Sequence, residues 1–407
     1  MYYILMHKGI PVAKLELDET VCVIRRIDEV YHPKHLPVGI PVRHGAVDRA
    51  ALNEWWADRS IPASRSGVRQ ALETLQLSNP RMLITKCMGL SLSDQYWIRP
   101  FEREDIEWER VNFFTNAFTE DMGDLLFGRT EKQGPWNIHS PDNTSDGCLK
   151  KRWKLMSGRR CLVKGGSAPL MLQPFHEVIA TMVCRRLGIP HAPYWLVWED
   201  EVPYSVCEDF ITADTEFVSA WRVMKTMKKD NSTSLYRHYL NCCQALGIQG
   251  MVHAMDQMLV LDYLIANEDR HLNNFGLIRN AGTLEWIGPA PVFDSGSSLG
   301  YDKLPAQIIA GKGMECKPFK RRHEEQVRLV TSFDWIDFEA IKGLDQDIRE
   351  VFRDAGMYGD DSRIQAVVLS VNRRVAHLQE LSREHGDIVD RPEDDVMENV
   401  AAAYIEE

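Results

Sequence analysis

No apolar run in the 407-residue sequence comes near the length of a membrane-spanning helix, about 20 residues, so no span is expected. Cysteine pairing is also lacking. The nine cysteines are scattered, form no Cys-x-x-Cys, and only Cys242 and Cys243 are adjacent. An odd, dispersed set reads as free thiols in a reducing compartment rather than as a disulfide framework. The opening Met1-Tyr-Tyr-Ile-Leu-Met-His-Lys8 has no basic region ahead of its apolar residues and no small-residue cleavage site. A secretory leader is therefore not expected, and the chain reads as cytoplasmic. Excess positive charge is missing too. Lys and Arg number 48 against 59 Asp and Glu, a net charge of −11, which argues against direct nucleic-acid binding. Internal repeats, a Gly-x-Gly-x-x-Gly stretch and a Walker P-loop are all absent.

What is present is an ordinary globular composition, 44% hydrophobic and 26% charged, in a chain long enough for two or three lobes. Residues 2–6 and 11–17 flank Lys8-Gly-Ile-Pro11 and read as a β-hairpin, with a further strand at 20–27. Helical spacing follows at 48–56 and 67–77, and Ser78-Asn-Pro80 closes that region. A second helical block spans 105–127, with Trp108, Val111, Phe114, Ala117 and Phe118 on one face, and reads as a packing helix. From 128 to 147 the composition turns to Gly, Pro, Asn, Asp, Ser and Thr, which is loop chemistry. Strands are expected at 149–156 and 160–164 around Ser157-Gly158, a helix at 174–187 ended by Gly188 and Pro190, and strands at 194–198 and 204–210. Beyond 211 the pattern is mainly helical, apart from short β segments flanking the candidate metal residues. This divides the chain into an N-terminal subdomain (1–130), a strand-rich lobe with one helix (131–210), a helical lobe (211–390) and an acidic tail (391–407). The class is α+β, in the order of a two-lobed protein-kinase-like fold: a small β-rich lobe, then a larger helical one.

The chemistry concentrates in Asp262-Tyr-Leu-Ile-Ala-Asn-Glu-Asp-Arg-His-Leu-Asn-Asn-Phe-Gly276 and the following Pro291-Val-Phe-Asp-Ser-Gly296. Asp269 falls at the end of an apolar helix read over 251–266, Asn274 in the turn after it, and Asp294 after a strand. Phosphoryl transfer from a nucleotide needs such a set: one carboxylate to accept the proton of the attacking hydroxyl, an amide and a second carboxylate to hold the metal. Asp269 is the candidate catalytic residue; Asn274 and Asp294 are the candidate Mg²⁺ ligands. Each alone would be ordinary, a surface aspartate, a loop asparagine, a strand-end carboxylate. An aspartate at a helix C-terminus is disfavoured by the macrodipole, and the three together with Arg270-His271 speak for function. A lone Asp-x-His lacks the ligand count for zinc.

Upstream, Lys164 ends a strand in Cys161-Leu-Val-Lys-Gly-Gly166 and is placed to pair with nucleotide phosphates, with Glu177 on the next helix to hold it. The bland alternatives are a strand-end lysine and a solvent-facing glutamate. Glu208 and Phe210 end the small sheet, where a hinge would offer backbone groups to adenine. The phosphate-loop candidate is Asn143-Thr-Ser-Asp-Gly147, contributing Thr144, Ser145 and Gly147, beside the basic run 150–154. Similar runs at 225–229 and 317–322 are the kind usually found on solvated surface.

Asp269-Arg-His-Leu-Asn-Asn274, Asp294-Ser-Gly296 and Leu162-Val-Lys164 resemble the HipA-like family of serine/threonine kinases, over about 140–302. The resemblance implies an ATP- and Mg²⁺-dependent kinase acting on protein hydroxyls, with Asp269 catalytic, Asn274 and Asp294 on the metal and Lys164 on the nucleotide. It also implies autophosphorylation in the phosphate loop, here at Thr144 or Ser145, and a small antitoxin-like protein partner. The first 130 residues share at most an opening hairpin with that family, and the loop departs from its usual sequence. The Asp-Arg-His-x-x-Asn pattern is similar to phosphoinositide kinases as well, so a lipid or small-molecule hydroxyl is an alternative acceptor. A nucleotide-binding pseudokinase module is the alternative outside enzymes.

Overall fold

In the first of two units, comprising Met1–Val178, His191–Met251 and His271–Asp294, alternate residues of one strand serve two cores. That strand, β1 (Tyr2–His7), pairs antiparallel with β2 (Ile10–Asp18), which pairs with β3 (Val23–Val30). Tyr3 and Leu5 join Val12, Leu15, Leu17 and Ile24 in one cluster, while Ile4 and Met6 join a second with Trp97, Trp108 and Phe113. A strand buried on both faces needs a continuous apolar run, which Tyr-Ile-Leu-Met supplies. Each fully buried Leu or Ile there contributes about 1.5–3 kcal/mol. A two-residue hairpin, β4 (Val42–Arg43) and β5 (Ala46–Val47), leads to α1 (Arg49–Asp58). Asp48 caps α1 by accepting from the Ala51 amide at 3.0 Å, and Trp55 and Trp56 of α1 cover the first cluster. The helices α2 (Val68–Leu75) and α3 (Arg81–Lys86) follow.

The structure is a computed structural model and describes residues 1–129, 131–353 and 355–389. The acidic tail expected at 391–407 lies outside the described residues.

Two features of the N-terminal region differ from the sequence reading. Strand β6 (Tyr96–Pro100) closes the first sheet beside β1, giving the order β3-β2-β1-β6. Its five residues are too few to show a period. The expected helical block at 105–127 is instead two short helices, α4 (Trp108–Val111) and α5 (Asp121–Leu126). Asn112 ends the first: its side-chain Nδ2 donates to the Trp108 carbonyl at 2.9 Å, and its Oδ1 accepts from the Thr115 amide at 2.9 Å. An asparagine that offers the backbone this alternative stops a helix even where the apolar spacing would continue it.

The second sheet is antiparallel throughout, in the order β7-β8-β10-β9. It comprises β7 (Lys151–Met156), β8 (Arg159–Lys164), β9 (Tyr194–Glu199) and β10 (Val202–Glu208), with α6 (Gln173–Leu187) inserted after β8. The β7–β8 turn has Ser157 at φ 50 and Gly158 at φ 80, the pair of positive angles that matches the strand twist of a two-residue hairpin. A third sheet contains β11 (Thr215–Ser219), β12 (Gly276–Asn280) and β13 (Trp286–Pro289). β11 falls where the sequence reads as helical; its Thr-Glu-Phe-Val-Ser favours a strand once β12 is available to pair. At Gly276 a Cβ would come 2.1 Å from the Val218 carbonyl oxygen, so only glycine lets β12 start there. Helices α7 (Ala220–Met224) and α8 (Leu235–Ala245) complete this unit.

The second unit comprises Ile179–Pro190, Val252–Arg270 and the chain from Ser295 onward. Among its described residues it is helical. Its central element is α9 (Met251–Leu264), in which Met255, Met258, Leu259, Val260, Leu261 and Leu264 are all buried. A helix apolar all round must be enclosed. The short helices α10 (Pro305–Ala310), α11 (His323–Gln326) and α12 (Leu344–Val351) lead to α13 (Asp361–Val389). Arg374 of α13 donates to the Tyr263 carbonyl at 2.9 Å and His377 meets the Tyr263 hydroxyl at 2.5 Å, tying α13 to α9.

Candidate active site

In the first unit, Lys164 closes β8, an interior strand, and its side chain is buried. Its Nζ donates to Glu177 Oε1 at 3.0 Å, Asp294 Oδ1 at 2.6 Å and the Tyr194 hydroxyl at 3.3 Å. Glu177, on the first turns of α6, is buried as well. Burial acts to discharge the lysine, but Asp294 and then Glu177 outweigh it, and the ammonium is held well above its ordinary pKa. Burial, with Cys207 and Glu177, likewise pushes the Tyr194 phenol up, so it stays protonated beside the lysine. The Asp294 amide donates to the Tyr194 hydroxyl at 3.3 Å, and the Asp294 backbone is left-handed at φ 55. A non-glycine residue in that region costs of order 1 kcal/mol or more and persists where the surroundings over-determine it. One cation between two carboxylates leaves a net negative centre, suited to a second cation.

Asn274 belongs to the same unit; it is buried, in a tight turn closed by its amide donating to the His271 carbonyl at 2.8 Å. Asn274 and Asp294 offer hard oxygen donors, which fit Mg²⁺. Among the described residues no three His, Cys, Asp or Glu side chains gather as a metal cage. Mg²⁺ does not need one, since it commonly takes one or two protein oxygens with water and phosphate.

Asp269 lies in the second unit, in the segment that follows α9. Two residues past the end of the helix, Ala266 is left-handed at φ 49. The Asp269 amide donates to Asn267 Oδ1 at 3.1 Å, and Asn267 donates to Asp262 Oδ1 at 2.8 Å. Arg270, fully buried, grips Asp262 through Nε at 3.0 Å and Nη2 at 2.9 Å, and reaches Ser295 Oγ at 2.9 Å. This forked pair fixes the segment that presents Asp269. The Asp269 carboxylate meets Lys317 Nζ at 2.8 Å. The sequence offered a signal for the Asp262–Arg270 pair, two opposite charges flanking the motif, but its role shows only in the fold.

The loop carrying Thr144, Ser145 and Gly147 is held from a distance in sequence. Arg65, 2% exposed, donates from Nε to the Gly147 carbonyl at 2.7 Å and from Nη1 to Ser145 Oγ at 2.7 Å, and also bonds the Ser145 carbonyl. Ser145 Oγ donates to the Asp142 carbonyl at 2.9 Å, and Thr144 Oγ1 donates to the Leu90 carbonyl at 2.8 Å. Nothing in the sequence singled out Arg65, which stands about 80 positions upstream. Asp142 is buried and pushed up to about 7 by that burial, against the Trp153 amide, Ser140 and the nearby Arg65 and Arg152. Glu208 ends β10 with an exposed side chain paired to Arg159 at 3.2 Å. Phe210 packs its ring against Phe217 and Phe293 at 6.3 and 5.4 Å between centroids. Neither side chain joins Lys164, so any hinge role rests on backbone groups. An open hollow of about 540 Å³ is lined by Glu54, Asp58, Asp146, Trp221 and residues 271–273. Its acidic wall suits a cationic segment and would repel a polyphosphate.

The model of the HipA-like C-terminal domain matches residues 143–358, more than half of the chain. No curated protein matches. Among solved structures, HipA of Shewanella oneidensis MR-1, in a toxin–antitoxin complex with HipB and operator DNA, is similar with a TM-score of 0.52 and 12% identity. That match covers 95% of this chain and 99% of the other. The Helicobacter pylori proinflammatory kinase CtkA matches at 18% identity and a TM-score of 0.43, covering 57% of this chain and 95% of its own.

Proposed function

The chain belongs to the HipA-like family of kinases, and from that premise we propose that it is an ATP- and Mg²⁺-dependent protein kinase phosphorylating serine or threonine. The observation that carries this reading is the buried Lys164 ammonium held between Glu177 and Asp294. Such a lysine is preorganised for α- and β-phosphate oxygens, and its charge is secured by both carboxylates. Asn274 and Asp294 would hold Mg²⁺, which neutralises phosphate charge when bound. Asp269 accepts the hydrogen bond of the acceptor hydroxyl and orients its oxygen; its rigid mounting on Asn267 and Arg270 favours that role. Lys164 fixes the phosphate chain, and Glu177 fixes Lys164. Backbone groups at Glu208 and Phe210 would take the adenine.

Thr144 and Ser145 are the hydroxyls proposed for autophosphorylation, and each must first leave its carbonyl acceptor. A small antitoxin-like protein is the proposed partner, by analogy with the HipA–HipB–operator assembly; the chain's acidity favours contact with DNA through that partner. A calorimetric titration with ATP, with and without Mg²⁺, tests the nucleotide site. Mg²⁺-enhanced binding that Asp294→Asn loses supports the reading. No binding of ATP to wild type in either buffer refutes it.

A further inference from the structure

His7, the last residue of β1, is fully buried, and both of its ring nitrogens are engaged. Nε2 lies 2.9 Å from Glu216 Oε2, and Nδ1 lies 2.9 Å from the Nδ1 of His35. His35 is half-buried and ends a short turn, Pro33–His35. Other charged and titratable groups face the pair. Tyr96 of β6 stacks on the His7 ring at 4.3 Å between centroids. Arg279 of β12 pairs with Glu216 of β11 and donates to the Tyr96 hydroxyl at 2.8 Å. His32 lies beside His35, with ring centroids 6.3 Å apart.

Proton counting across these contacts fixes what the pair tolerates. Burial works against the Glu216 charge, but the His7 hydrogen bond and Arg279 outweigh it and keep the carboxyl below its ordinary value. An ionised Glu216 can only accept, so His7 Nε2 carries a proton. The two Nδ1 atoms are then joined only while a single proton lies between them. That bond survives with both rings neutral, His35 donating, and it survives with one positive charge on the pair. A second charge protonates both Nδ1 atoms, and donor faces donor at hydrogen-bond distance. The pair therefore titrates in two steps, of which only the second breaks the contact. Burial first, then the charges of His7, His32 and Arg279, push the His35 imidazolium below its ordinary value, while Glu216 opposes them.

We infer that the His7–His35 contact is an acid-operated latch: one proton between the rings holds the 31–36 segment in place, and a second proton opens it. His35 is the ring that leaves, because it borders solvent, whereas His7 is fully buried and keeps Glu216. The segment that moves is small. Its Tyr31 and His32 amides donate to the Val12 carbonyl at 2.8 and 3.2 Å, and its Leu36 amide donates to the Pro33 carbonyl at 3.2 Å. His32 is no rival sensor: its Nδ1 donates to the Pro11 carbonyl at 2.6 Å, a bond that carries its proton in either charge state. A histidine whose folded pKa is depressed binds fewer protons folded than unfolded. Its contribution is thus present above the ordinary 6.5 and is lost as pH falls below it. The latch stands apart from the kinase reading.

The experiment is hydrogen exchange of the full chain at pH 7.5 and 5.0, read by mass spectrometry, each rate divided by that of unstructured chain at the same pH. In wild type, protection over 31–36 is expected to fall about tenfold or more on acidification, while β8 and β10 keep theirs. His35→Gln, which takes no proton, is expected to give equal protection over 31–36 at both pH values, with His35→Asn as a second neutral variant. His32→Gln is expected to retain the wild-type fall. Equal protection in wild type at the two pH values overturns the inference without recourse to any variant. So does a fall that the His35 variants retain or that His32→Gln abolishes. A fall shared by β8 and β10 overturns it too, since that marks general acid unfolding.

Discussion

Lys317 Nζ stands 2.8 Å from Asp269 Oδ1, and the loop that carries the lysine is held by Gln326. Gln326, itself buried, donates to the Lys317 carbonyl at 2.8 Å and accepts from the Phe319 and Lys320 amides at 3.0 and 3.1 Å. The basic run 317–322 is therefore more than a solvated face at its first residue. Both partners of the pair are about half exposed, 55% and 42%, so the pair adds at most about 1 kcal/mol to stability. Lys317→Met is expected to melt within about 2 °C of wild type and to lose phosphotransfer at least tenfold, with the KM for ATP unchanged. Steady-state kinetics and a melting curve check this together.

Removing one member of the Asp262–Arg270 pair leaves the other charge buried and alone. Both side chains are within 1% of full burial. Arg270→Ala is expected to destabilise the fold by about 3–5 kcal/mol. Arg270→Lys should recover only part of that, because a single ammonium cannot reproduce the forked contact. Urea unfolding monitored by tryptophan fluorescence measures both.

Arg65 clamps the loop that carries both proposed autophosphorylation hydroxyls. Arg65→Met is expected to raise hydrogen exchange and protease cleavage over 143–148 while leaving exchange in β8 and β10 as in wild type. Exchange in the loop that stays at the wild-type level would show that the loop is held by other means.

Asp142 supplies a pH signature. Its folded pKa, about 7, is raised above the ordinary 3.8 by burial. A carboxyl raised in the folded state binds more protons there than when unfolded, so its contribution to stability falls as pH rises from about 4 to about 7. Relative to Asp142→Asn, wild type is expected to lose about 3 kcal/mol between pH 4.5 and 7.5. Parallel stability-versus-pH curves for the two proteins would contradict that assignment.

How legible all this was depended on range in sequence. Lys164, Glu177 and Asp294 were each marked by local context (a strand end before two glycines, the next helix, a carboxylate before Ser-Gly), and the fold brings these three together. Asp269 and Asn274 were marked by their shared motif. Tyr194 and Arg65 were not legible, since a tyrosine opening a strand and an arginine in a polar turn look the same whether or not a distant partner awaits them. The 105–127 block misled because apolar spacing persists through Phe113 and Phe114, while the competing side-chain bonds of Asn112 have no periodic signature. Strand β6 is short, and its pairing with β1 is a tertiary event.

The most direct test is transfer itself. Purified wild type and Asp269→Ala are incubated with Mg²⁺-ATP and read by intact and peptide mass spectrometry, with a generic protein acceptor included. Phosphate on serine or threonine in the wild-type reaction alone, with Thr144 or Ser145 among the sites, is the predicted result. Equal phosphorylation in both reactions, or none in either while ATP remains bound, would contradict an active kinase that uses Asp269.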